Sequence, residues 1–110
     1  MKHDDTRIYQ RSLELVRLSK QVLERLPPGY GFLRGELRRA SSSVPLNFSE
    51  GYSKSTLKEQ RRFFGIAKAS AYEVSAIFDV AACFEVVPAH LLLEGKDLCD
   101  HLAAMLSRFR

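Results

Sequence analysis

Four stretches of the chain repeat apolar residues at steps of three and four, the spacing of one face of an α-helix. Strand-like alternation never runs far enough to compete. The first predicted helix starts after Asp5 or Thr6 and reaches Leu26, with Ile8, Leu15, Val16, Val22, Leu23 and Leu26 on one side and Pro27-Pro28-Gly29 ending it. A second spans about 30–52. Thr56 and Glu59 have the spacing of a capping box, whose two side chains satisfy two orphaned backbone N–H groups, and so mark the start of a third helix reaching about Val86. Pro88 separates it from a fourth, about 89–109, carrying Leu91, Leu92, Leu98, Leu102, Met105, Leu106 and Phe109, with an irregularity expected at Gly95. Short links make successive helices antiparallel neighbours, so the predicted fold is all-α, an antiparallel up-down-up-down four-helix bundle. A chain of 110 residues has room for one such domain, 1–110.

The second and third helices depart from this simple pattern. In the second, the stripe Leu33, Leu37, Ala40, Val44, Phe48, Gly51 is interrupted by Pro45, which removes a hydrogen bond and costs roughly 3 kcal/mol in a helix interior. A kink is therefore expected, with the hydroxyls of Ser41, Ser42 and Ser43 placed to bond the freed carbonyls. Arg39, Ser43, Asn47 and Glu50 run beside the stripe, and polar groups there need partners if buried. Together with Arg62 and Glu73 they are read as a structural network around the kink, held by an arginine–carboxylate pair, in preference to a catalytic cluster. In the third helix only Lys68, Tyr72, Ser75 and Asp79 form a polar strip. Phe63, Phe64, Ile66, Ala67, Ala71, Val74, Ile77, Phe78, Val80, Ala81 and Phe84 wrap the remainder, too much for one bundle face. The excess predicts a second buried face, most simply against another copy of the chain.

Charge adds a candidate function. The net charge of +4 is modest, but residues 34–68 hold eight basic residues against three acidic ones, whereas residues 69–110 hold three against six. Arg34 and Arg38, then Lys54, Lys58, Arg61 and Arg62, form a basic belt suited to phosphate backbones, which attract such charges through counterion release. The competing reading is a set of solvated charges facing the acidic fourth helix of a neighbouring copy. Tyr9, Tyr30 and Tyr52 could stack on bases, but packing at the core edge is the simpler use. His3, His90 and His101 belong to no metal-binding spacing, and Asp97 with His101 reads as a surface pair one turn apart. No metal or cofactor is expected, and no nucleophile–base pair suggests an enzyme. Cys83 and Cys99 read as small core residues of a reduced cell interior. The start is polar and no apolar run approaches the ~18 residues of a membrane span, so a cytoplasmic protein is expected.

The pattern Leu37-Arg38-Arg39-Ala40, Ser43-Val44-Pro45, Asn47, Glu50-Gly51, then Arg62-Phe63-Phe64, Ile66-Ala67, Ser70 and Glu73, resembles the bacterial rRNA intervening-sequence proteins. Their family is similar to the accessory protein of diversity-generating retroelements. The resemblance covers roughly residues 6–108 and implies a small four-helix bundle assembling into a homopentameric ring. It also implies nucleic-acid binding, to RNA or DNA, and a reverse transcriptase as a partner, both properties of the retroelement branch. Gln60 stands where family members commonly have an aromatic residue, and Gly35-Glu36 replaces a more usual polar pair. The function expected is thus a non-enzymatic scaffold for nucleic acid or ribonucleoprotein. A module that docks a protein without affinity for nucleic acid is the alternative.

Overall fold

The computed structural model describes residues 6–109, which form four helices: α1 (Arg7–Arg25), α2 (Gly31–Tyr52), α3 (Leu57–Phe84) and α4 (Ala89–Arg108). Local chemistry sets their ends. Thr6 caps α1 by accepting a hydrogen bond from the Tyr9 N–H (3.0 Å), and Thr56 caps α3 by accepting from the Glu59 N–H (3.2 Å). Only this half of the expected capping box forms among the described residues. α3 stops two residues short of Val86 because Glu85 turns into the left-handed region, with φ of 55°. A side chain with a Cβ is strained there, so Glu85→Gly is expected to raise the unfolding free energy by about 0.5–1 kcal/mol in a urea titration.

α1 and α3 each pack on both α2 and α4, while the diagonal pairs make no close backbone approach. Contacts run in opposite senses along α2 and α3: Phe32 meets Phe84, Arg39 meets Glu73, Ser43 meets Ser70 and Phe48 meets Phe64. The same holds for α3 and α4, where Asp79 bonds Lys96 and Phe64 packs on Phe109. The rod measures 44 × 22 × 19 Å. At 1.5 Å per residue the 28-residue α3 runs about 42 Å, almost the whole length.

The core is a column of buried side chains including Leu15, Val22, Leu37, Val44, Phe48, Val74, Phe78 and Leu102. On α1 the inward face is Ile8, Ser12, Leu15, Leu18, Ser19 and Val22, whereas Val16 and Leu23 are only partly buried. α4 is one uninterrupted helix through Gly95, and the glycine has a packing reason. A Cβ there would lie 2.8 Å from Leu18 Cδ2 and closer still to the Phe78 ring, so only hydrogen fits where these three helices meet. Gly51 does the same between α2 and α3, where a Cβ would come within 2.9 Å of Phe63 and Phe64.

α2 also continues as one helix through the buried Pro45. The serines before it bond carbonyls one turn earlier than expected. Ser42 Oγ donates to the carbonyls of Arg38 (2.8 Å) and Arg39 (3.2 Å), and Ser41 Oγ to that of Arg38, none of them the Ser41 carbonyl that the proline leaves without a donor. On α3 the excess apolar girth resolves into two sets. Phe64, Ala67, Ala71, Val74, Ile77, Phe78 and Ala81 are buried in the bundle, while Ile66, Val80 and Phe84 remain exposed.

Candidate nucleic-acid interface

The basic belt is two patches. Arg34 and Arg38 lie in the first turns of α2, whereas Lys54, Lys58, Arg61 and Arg62 surround the α2–α3 link; from Arg34 to the end of α2 at Tyr52, just before Lys54, the helix runs about 27 Å. Their environments also differ. Arg34 is half-buried and its Nη2 donates to the Leu26 carbonyl (2.6 Å), tying the end of α1 to α2. Arg38 is exposed. Lys54 pairs with Glu50 (3.0 Å) and lies over the Phe63 ring, and the Arg62 guanidinium sits 4.9 Å from the centre of that ring, a cation–π arrangement. Lys58 and Arg61 are exposed and in no ion pair among the described residues. Arg38 shares that freedom at the other patch.

Helix packing brings further positive charge to this second patch. Phe109, at the end of α4, packs on Phe48, Tyr52 and Phe64, so the end of α4 lies beside the α2–α3 link. Thr6, Arg7 and Ile8 line a common hollow with Met105, Arg108 and Phe109, which places the start of α1 there too. One end of the rod therefore gathers Arg7, Arg11, Lys54, Lys58, Arg61, Arg62 and Arg108 against Glu14, Glu50 and Glu59. Over the rest of the described rod Arg17, Lys20, Arg25, Arg34, Arg38, Arg39, Lys68 and Lys96 balance Glu24, Glu36, Glu73, Asp79, Glu85, Glu94, Asp97 and Asp100. Charge is segregated along the bundle axis, a property that windows of sequence do not display.

The sequence profile of the 23S rRNA-intervening sequence proteins matches residues 4–108, nearly the whole chain. The chain belongs to that family. No curated protein matches it closely enough to be called a relative.

The polar residues shared with the family pattern separate, in this intervening-sequence protein, into smaller groups than the network expected of them. Arg39 of α2 and Glu73 of α3 form an ion pair. Below it, Asn47 Nδ2 donates to both the carbonyl and the hydroxyl oxygen of Ser43 (2.9 Å each), and the buried Ser70 donates to the same hydroxyl (2.8 Å). The Arg39–Glu73 and Ser43–Ser70 bonds stitch α2 to α3 ahead of Pro45, and the Asn47 bonds span the proline within α2. Glu50 and Arg62 stand outside the group: Glu50 is exposed and bound to Lys54, and Arg62 is turned onto Phe63. Glutamate in the last turn of α2 and lysine just beyond its end satisfy each other locally, which removes the need for an arginine from another element. Gln60 fills its position without an aromatic ring by donating from Nε2 to the Lys54 carbonyl (3.1 Å), closing the link.

Tyr30 and Tyr52 pack in aromatic clusters at the two ends of the core, and Tyr9 packs against the core as well. Both cysteines are free thiols. Cys99 is buried, and loss of water pushes its thiol up to about 12. Cys83, expected in the core, is exposed because it falls on the outward stripe of α3. His101 contacts Arg11 and has no ion pair with Asp97, and His3 lies outside the described residues. Among the described residues no group of three His, Cys, Asp or Glu side chains could hold a metal ion, and no helix is long and apolar enough to cross a membrane.

Proposed function

We propose that this chain is a non-enzymatic, homo-oligomeric scaffold that binds nucleic acid through the basic end of its bundle. The supporting observation is the axial segregation of charge: seven basic side chains from α1, α3, α4 and the α2–α3 link meet at one end, with Lys58 and Arg61 exposed and in no ion pair among the described residues. Such a surface attracts phosphate backbones without regard to sequence, and weakly for a single protomer. Several copies acting together raise the effective concentration along one nucleic-acid chain.

Self-association is supported by the outer face of α3. Gly65, Ile66, Ala69, Tyr72, Ala76, Val80 and Cys83 follow one another at helical steps and are all exposed. Phe32 of α2 (54% exposed) and Phe84 (48%) continue the strip at one end. A shallow apolar hollow opens between Phe32, Ala76 and Val80. Exposed apolar surface of this extent on a small rod is characteristic of an interface. Five copies is the number implied by the family resemblance.

Sedimentation velocity at micromolar concentration is expected to show an assembly, and Val80→Glu, at a site exposed in the protomer, to release folded monomers with unchanged helical circular dichroism. Titration of structured RNA and of duplex DNA at ~50 mM salt is expected to show binding that weakens steeply as salt rises. A monomeric wild type would remove the oligomer. An assembly without affinity for either nucleic acid would point instead to a protein as the partner.

A further inference from the structure

Beside the basic end, the face between α1 and α4 carries a basin of about 320 Å³ lined by Arg7, Arg11, His101, Ala104, Met105 and Arg108. None of these six residues is acidic. Arg7 and Arg108 are exposed and form no ion pair among the described residues. Arg11 is held in place from one side, its Nη1 donating to Glu14 (2.9 Å). Its Nη2 lies 3.3 Å from His101 Nδ1. A guanidinium can only donate, so Nδ1 accepts in that contact, and the imidazole proton resides on Nε2, where it is one more donor. The Nε of Arg11 is buried and has no acceptor among the described residues, and a buried N–H of this kind calls for one.

The basin thus presents donors and positive charge, and no carboxylate among its described lining residues. We propose that it binds a phosphate group of a nucleic-acid backbone, with Arg7 and Arg108 as the charged arms and Arg11 as a fixed donor between them. Phosphate suits the set because arginine forks match its oxygens and its charge answers that of the two unpaired guanidinium groups. The choice of nucleic acid as the source rests on the function proposed above, because the basin adjoins Lys58 and Arg61 only across the end of the rod. It gives α1 and α4, neither of which belongs to the belt read from the sequence, a defined contact within that basic end.

Two measurements separate the basin from the wider reading. Pyrophosphate, titrated into the full chain and followed by the His101 imidazole resonances, is expected to move them saturably. Arg7→Gln combined with Arg108→Gln is expected to weaken that response roughly tenfold or more, and Lys58→Glu with Arg61→Glu to leave it in place. In RNA titrations the Arg7→Gln, Arg108→Gln variant is expected to lower the slope of log affinity against log salt by about 1–2. An unmoved His101 at saturating pyrophosphate overturns the basin, whatever RNA does. An unchanged salt slope with wild-type RNA affinity overturns its role toward nucleic acid while leaving the proposed function standing. Absence of RNA and DNA binding by the wild type overturns that function and, with it, the assignment of the phosphate to a nucleic acid. Both arginines are exposed, so an unchanged melting curve confirms that the variant is folded.

Discussion

Phe48→Ala is expected to lower the unfolding free energy by about 3–5 kcal/mol, the usual cost of removing a buried aromatic side chain. Phe48 has no exposed surface, and its ring packs against Phe64, Tyr52 and Phe109, with centroids 5.3–5.9 Å away. Those contacts come from α2, α3 and the residue that ends α4, so the cavity would lie where three elements meet and could not be closed by shifting any one. Small domains have only about 5–15 kcal/mol in total, and a loss of this size lowers the melting temperature by at least ~12 °C. Leu46→Ala is the control, since Leu46 lies two residues away with two thirds of its surface exposed. It is expected to change stability by no more than about 0.5 kcal/mol in the protomer. Equal effects of the two substitutions in a urea titration would show that the aromatic cluster does not organise the end of the bundle.

The second large effect concerns binding. Lys58→Glu with Arg61→Glu is expected to leave the melting curve almost unchanged, because both side chains are exposed and neither forms an ion pair among the described residues. RNA affinity at ~50 mM salt is expected to fall at least about tenfold, and the salt slope by about 2, one unit for each phosphate contact removed. Arg34→Glu with Arg38→Glu makes the same change in net charge at the other patch, in the first turns of α2. If bulk charge alone attracted the polyanion, the two double variants would behave alike. The axial arrangement predicts that the Lys58, Arg61 pair has the larger effect by a wide margin.

Much of the fold can be read from local signals. Proline pairs, threonine caps and steps of three and four locate all four helices to within two residues, because these effects act over one helical turn. The inward serines of α1 escape such a reading. Ser12 donates to the Tyr9 carbonyl (2.7 Å) and so enters the core as a small satisfied group, whereas a hydropathy pattern counts it as outward. Gly95 is legible as an anomaly but not as a contact, since Phe78 and Leu18 are brought to it by helices distant in sequence.

The candidate site was legible in part, for the same reason. Lys54, Lys58, Arg61 and Arg62 are close in sequence and remain close in space. Arg34 and Arg38 share their stretch of chain yet stand near the other end of the rod. Arg7, Arg11 and Arg108 join the basic end through the pairing of α1 with α4, over separations of about a hundred residues that no spacing rule spans. The signal that could have found them is topological: in an antiparallel bundle the start of α1, the α2–α3 link and the end of α4 share one pole.

That pole has a consequence for any closed assembly. Rotation about an axis parallel to the helices leaves every protomer pointing the same way, so copies joined along the α3 strip would form a two-sided disc with a cationic collar on one rim and a nearly neutral rim opposite. A two-fold axis across the helices would cancel that sidedness. The placement of a handful of arginines would then decide not just whether a polyanion is attracted, but from which side it must approach.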